Sequence, residues 1–391
     1  MKTAIWLYLF LFLAFFDLHA QYPILTPFAL SLGAGPAFIG WMMGMYSLTH
    51  LPGNLLAGNL IDRRGSRRYI VFSLTAAGII LLIQAQATQP WHLLVLRAAS
   101  GFALAFLSPA CMTLLASLSR DPVTQGKYMS GNGIIHTLAS VVSPAAGAYI
   151  VTHAGYSGTF GALGWLLIAT GLLAYFSLPR HRAEERERPL HAAALAPAFS
   201  PNAGSGQQDS VSIRYYLLPF FISCAQGVLF FELPLAQEGS GGGMLSTGVL
   251  LSLLSLGALS TLSLLFLARL EPEGRIAVGL LGMALCFFTL AAFPLLPQGA
   301  VLFVMGAAKG ILLPAVASLF ILLGGPGRLG RTFSRQSIAM SLGAFAGPVA
   351  AGQLRGTVSP YFIAFLLLMT ALLLLPWRQV NKAAPLVPRA E

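Results

Sequence analysis

Four ionisable residues stand inside long apolar runs, where a charge is expensive: Asp17, Arg97, Glu232 and Lys309. Two acids and two bases make a nearly neutral set that could pair through water. Hydrocarbon favours the neutral form of an acid, so a carboxyl there can exchange a proton as its site opens to either side. Asp17 is therefore the leading proton carrier. Gln21, one helical turn on, shares its face. His19 points elsewhere and suits a local hydrogen bond. Arg97 and Glu232 lie nearer one end of their runs, where long side chains can also reach out to water. For Asp17 and Lys309 a purely structural buried pair is the alternative. His50, Asn54, Asn132, His136, Gln226 and Gln336 are the other polar residues in apolar runs, and each alone is more often a helix–helix hydrogen bond. Phe16, Tyr22, Phe106, Phe230 and Phe231 could line a space for a flat apolar ligand. The expected cavity set is Gln21, Phe106, His136, Gln226, Glu232 and Lys309. Nothing pairs a nucleophile with a base. Cys111, Cys224 and Cys286 all lie in apolar runs without paired spacing, which argues against a disulfide frame or a metal site. No cofactor is expected.

The elements that must position these groups are membrane helices. The chain is 56% hydrophobic and only 9% charged, against roughly 25% charged in soluble domains. A spanning helix needs about 20 apolar residues. Twelve runs qualify, near 4–32, 36–61, 69–88, 91–118, 127–152, 157–178, 214–237, 245–269, 276–294, 299–323, 332–356 and 359–377. The four charged positions fall in the first, fourth, seventh and tenth. The net charge of +11 orients the chain and does not imply a nucleic-acid partner. All Lys and Arg except Arg97, Lys309 and Arg355 lie at the termini or in loops of one side. By the positive-inside rule that side is cytoplasmic, with both termini. The opening run, ending Leu18-His19-Ala20, also has the form of a cleavable signal peptide.

Two six-helix bundles, 1–178 and 214–378, flank a linker at 179–213 that is first densely charged and then rich in Ala, Pro, Gly, Ser and Gln. Residues 379–391 form a basic tail. The bundles repeat each other. Ser143-Pro144-Ala145-Ala146-Gly147 matches the Gly347–Gly352 stretch at an offset of 204, and Pro109 matches Pro314 at 205. A duplication of this kind builds transporters from two parallel halves.

Gly58-Asn-Leu-Ile-Asp-Arg-Arg-Gly-Ser-Arg-Arg68 is a basic turn between two apolar runs. Gly58 and Gly65 suit close helix approach and a sharp reversal. The turn resembles the loop between helices 2 and 3 of the major facilitator superfamily, G-x-L-x-D-R-x-G-R-R. Gly58, Leu60, Asp62, Arg63, Gly65 and Arg67 fit it, and Ser66 departs from it. Leu96-Arg97-Ala-Ala-Ser100-Gly101 is similar to the helix 4 motif R-x-x-Q-G, with Ser100 for Gln. Gly133 with Ser143-Pro144-Ala-Ala-Gly147 resembles the helix 5 antiporter motif G-x-x-x-G-P-x-x-G, with Ser143 for the central Gly. The resemblance implies a twelve-helix transporter of two pseudo-repeat halves, close to the drug/proton antiporters. It gives Asp17 and Arg97 the proton coupling, with H+ as the coupling ion. It places the central cavity among helices 1, 4, 7 and 10. Asp62 is expected to gate the cytoplasmic side by meeting the start of span 11 near Arg331, Thr332 and Arg335. The implied activity is export of small amphipathic compounds from the cell across the inner membrane by a monomer. A transporter dedicated to one metabolite, sugar, siderophore or lipid-like molecule is the alternative, favoured by Lys309 and Glu232.

Overall fold

In a bilayer each backbone N–H and C=O must find its partner within the segment, which leaves helices as the spanning form for runs like these. The computed structural model describes residues 2–119, 121–178, 212–264, 271–293, 295–324 and 329–375. No strand occurs among them. The linker, except for its last two residues, and the tail lie outside the described residues.

The helices are α1 (Lys2–Ala20), α2 (Tyr22–Ser31), α3 (Pro36–Arg64), α4 (Ser66–Gln84), α5 (Pro90–Leu104), α6 (Leu107–Ser117), α7 (Pro122–Ser177), α8 (Ile213–Gly239), α9 (Gly243–Leu262), α10 (Pro272–Ala292), α11 (Gln298–Gly324), α12 (Leu329–Leu354) and α13 (Pro360–Leu373). Proline opens α3, α5, α10 and α13, where a missing N–H leaves nothing unpaired. Gly65, at φ 84°, ends α3 and starts α4 in a single residue. Gly155, at φ 68° and ψ 179°, divides the long α7. Only glycine takes these angles without strain. Nine helices of the described residues are long and apolar enough to cross a membrane, including a 47-residue stretch at Gly131–Ser177. The count of twelve remains a sequence expectation.

Two expected spans are broken. Between α1 and α2 the chain turns at Gln21, where Pro23 and Pro27 remove successive helical donors. Between α5 and α6 it turns at Ala105–Phe106, just ahead of Pro109. The first break falls one turn after Asp17, and the second more than two turns after Arg97.

Among the first seven helices, α7 packs on α1 and α4, and α3 on α5. Among the rest, α12 packs on α8, α9 on α11, and α10 on α11 and α13. Contact between the two sets runs through α3 with α12, α7 with α9, and α2 with α8. The duplicated Pro144 and Pro348 sit on these seams. A methyl group at Gly40 would lie 2.3 Å from the Pro348 carbonyl oxygen, and one at Gly248 would lie 2.5 Å from that of Pro144. Pro144 and Pro348 are thus each received by a glycine of the other half. Large apolar side chains such as Ile79, Trp165, Phe176 and Val278 cover the outside. That surface is unfit for water and suited to lipid.

Candidate functional site: a chamber between the halves

A chamber of about 470 Å³ lies between the two sets of helices. Each wall is one face of a helix. Met43, Tyr46, Ser47, His50 and Asn54 come from α3, and Ser223, Gln226, Gly227 and Phe230 from α8. Phe333, Gln336, Ser337, Met340, Ser341, Ala344 and Pro348 come from α12. The spacings of three and four put each set on a single stripe. Tyr22 and Arg97 complete the wall.

The seam contacts close one end. Gly40 and Gly44 of α3 meet Pro348 and Phe345, and Gly352 meets Pro36. Tyr22 stacks on Phe230 with ring centroids 4.2 Å apart. Toward the other end, which carries the basic 63–68 turn, the chamber is lined by His50 and Asn54 of α3 and Phe333 and Gln336 of α12.

Behind Arg97 lies a buried relay. The Gln21 amide donates to both Asp17 oxygens at 3.0 Å, and Arg97 Nη1 donates to Gln21 Oε1 at 3.3 Å. Those roles fix the amide orientation, because a guanidinium only donates and a carboxylate only accepts. The Arg97 guanidinium sits 4.6 Å above the Tyr46 ring, a cation–π contact. Asp17, Gln21 and Arg97 are each 2% exposed. One charged group faces the chamber, and its counter-charge is held one residue away through an amide.

The remaining expected residues separate. Gln226 lines the chamber. Phe106 instead packs among Tyr69, Phe72 and Phe102. Glu232 accepts hydrogen bonds from Arg355 at 2.9 and 3.2 Å, tying α8 to the chain just past α12. It is paired away from the chamber lining. His136 and Lys309 lie to one side, with His19. His19 Nδ1 donates to the Phe15 carbonyl at 2.7 Å, the local hydrogen bond expected of it. Of the helix 5 motif, Gly147 packs on Ala20 and Pro144 on Gly248, while a methyl group at Gly133 would touch nothing within 4 Å.

The gate residues are apart. Asp62 is exposed and makes no hydrogen bond or ion pair among the described residues. Desolvation at the turn pushes its carboxyl above the ordinary value. A methyl group at Gly58 would touch nothing within 4 Å. The close approach expected of Gly58 is therefore missing. Gly65 makes the reversal. Arg63 is exposed, and Arg67 donates to the Tyr175 carbonyl and stacks on the Tyr175 ring at 4.8 Å. Arg331 and Arg335 both have other interactions.

Sequence reasoning did not single out Tyr46, Ser47, Ser223, Ser337 and Ser341 as lining. Their signal was the stripe they share with His50, Gln226 and Gln336, residues already noted as polar.

Comparison with known proteins adds the family context. A sequence model described as Major Facilitator Superfamily matches residues 7–305. The multidrug resistance protein MdtG of Salmonella arizonae is 24% identical over 365 residues, covering 89% of this chain and 86% of that protein. An uncharacterized MFS-type transporter, YuxJ of Bacillus subtilis, is 34% identical over 139 residues, about a third of each chain (34% and 35%). In fold, the chain is similar to the nucleoside transporter NupG with a TM-score of 0.71 and 14% identity, covering 96% of this chain and 97% of that one. It is also similar to the human organic anion transporter MFSD10 with a TM-score of 0.66 and 18% identity, covering 96% and 99%.

Proposed function

The chain belongs to the major facilitator superfamily of membrane transporters, and from that premise we propose that it is a proton-coupled antiporter exporting small amphipathic compounds across the inner membrane. The observation that carries this reading is the buried Asp17–Gln21–Arg97 relay with its arginine in the chamber wall. The relatives named for multidrug resistance support the efflux direction.

The coupling follows from electrostatics. With Asp17 ionised, its charge holds Arg97 through Gln21 and keeps the guanidinium against the relay. Protonation of Asp17 removes that hold and leaves Arg97 as an unbalanced cation in a space of low dielectric, where it is costly. The chamber then favours the state in which the cation is best hydrated or paired. Substrate and proton thus compete for one arrangement, which is the requirement of exchange. The lining suits the substrate class: Tyr22, Phe230, Phe333, Met43 and Met340 offer apolar surface, and scattered hydroxyls and amides offer hydrogen bonds. Methionine adapts to varied shapes.

Alternation needs the far-end seam to part and the basic end to shut. In the shut state Asp62 meets the first turn of α12 near Thr332, where the helix dipole favours an anion. One chamber within one chain supports a monomer as the working unit. A proton moving down about 100 mV and one pH unit releases roughly 2.3 plus 1.4 kcal/mol. That sustains a neutral substrate gradient of a few hundredfold at about 1.4 kcal/mol per tenfold.

The test uses purified protein in inside-out proteoliposomes with an acidic lumen. Substrate uptake should follow the pH gradient, and Asp17→Asn should abolish that dependence while leaving gradient-free exchange. Gradient-driven uptake that survives in Asp17→Asn refutes the role of Asp17.

A further inference from the structure

The two buried acids have found their bases. Asp17 is joined to Arg97 through Gln21, and Glu232 is bound by Arg355. Lys309, on α11, is left over. It is half-buried and makes no hydrogen bond or ion pair among the described residues, and no acid among them acts on it.

Its neighbours are also bases. Lys309 lies within electrostatic reach of both His19 and His136. The two imidazoles touch edge to face with centroids 5.2 Å apart. The far side of His136 is closed by Phe15, at 4.6 Å. Nδ1 of His19 is taken by the Phe15 carbonyl, so only its other nitrogen is available. No hydrogen bond holds His136 among the described residues, and its side chain is exposed to the space beside it. Three nitrogen bases from α1, α7 and α11 thus gather around a site with no carboxylate.

The cluster is an annex of the chamber. The Tyr22 ring meets His19 edge-on at 5.7 Å on one side and stacks on Phe230 at 4.2 Å on the other. Both Tyr22 and Phe230 line the chamber. The chamber's one charged lining residue is Arg97, and its wall contains no Asp or Glu. The side facing a substrate is therefore basic in both compartments, Arg97 being balanced only from behind, by Asp17 through Gln21. A lysine partly withdrawn from water, with no acid beside it and further bases around it, is unfavourable. An anion from outside the chain relieves this.

We propose that His19, His136 and Lys309 form an anion-binding annex to the chamber, and that the transported compound is an amphipathic organic anion whose apolar body rests on Tyr22 and Phe230. This deepens the export reading and rests on it for the direction of movement, but the binding claim stands without any proton gradient. Cations are disfavoured by Arg97 and Lys309 alike. A neutral analogue keeps the aromatic contacts and loses the ionic ones. Because the annex joins α1 and α7 to α11, a bound anion also bridges the two halves.

The experiment compares three probes of one shape by calorimetry with the full chain in nanodiscs: 1-naphthoate, 1-naphthamide and 1-naphthylmethylammonium. Naphthoate should bind most tightly. Lys309→Gln should weaken naphthoate by about tenfold or more, as loss of a charge-assisted contact requires, and leave naphthamide within about twofold. Lys309→Arg should restore most of the anion preference, and His136→Phe should weaken naphthoate selectively. Retained naphthamide binding certifies that each variant is folded. If naphthoate binds no more tightly than naphthamide, or if Lys309→Gln weakens both alike, the annex is not an anion site. Selective naphthoate binding in a protein that shows no proton-driven transport would keep the annex and sink the export reading.

Discussion

Gln21 is the residue on which the coupling turns, although it carries no charge. Among the described residues it alone hydrogen-bonds to both Asp17 and Arg97, and it does so from the break between α1 and α2. Gln21→Leu keeps the volume and removes all three hydrogen bonds. It leaves a carboxylate and a guanidinium buried without their shared partner, at about 1.5–3 kcal/mol for each charged hydrogen bond lost. We expect the melting temperature to fall and gradient-driven uptake to drop by about tenfold or more, one tenfold being about 1.4 kcal/mol. Uptake and melting temperature equal to those of the unaltered protein would remove Gln21 from the mechanism. Asp17 and Gln21 were legible in the sequence because the i, i+4 spacing of an acid and an amide is a local fact. Glu232 was legible only as a buried charge. Its partner Arg355 is 123 positions away, and helix packing alone brings them together.

At the scale of elements, the pairing of α3 with α12 closes the far end of the chamber. It depends on small residues where backbones approach closely, as membrane helices require in the absence of a hydrophobic drive between them. Gly40 is the tightest point of this pair, 2.3 Å from an oxygen for any added methyl group. Gly40→Val cannot be absorbed by a flexible side chain, since the obstacle is the Pro348 backbone. The substitution should force α3 and α12 apart there and move the population toward a chamber open at the far end. Spin labels at Leu32 and Thr357, in the loops flanking this seam, would report it as a longer mean distance. An unchanged distance would mean that the seam tolerates the wedge and does not govern closure. The offset of 204 between Pro144 and Pro348 was visible in the sequence. That each proline faces a glycine of the opposite half was not, because a repeat says which helices correspond and not which ones touch.

For the molecule as a whole, a chamber with a closed seam at one end is what the proposed alternation requires of one of its states. Ser337 faces it from α12, and the native Cys111, Cys224 and Cys286 are all buried. Ser337→Cys in a background without those three should react with a membrane-impermeant maleimide from the basic face and resist it from the far face. Equal reactivity from both faces would contradict the closed seam. By itself the sequence determined that this is a helical membrane protein, with Asp17, Arg97, Glu232 and Lys309 as the charged groups inside its apolar runs. Those conclusions rest on the cost of charge in hydrocarbon and on composition, both of which act along the chain without reference to neighbours. The tertiary structure decided the pairing: Asp17 with Arg97 through an amide, Glu232 with Arg355, and Lys309 left among histidines. Pairing depends on how each helix is rotated and where proline breaks it, and a modest rotation about a helix axis exchanges a lining residue for a lipid-facing one.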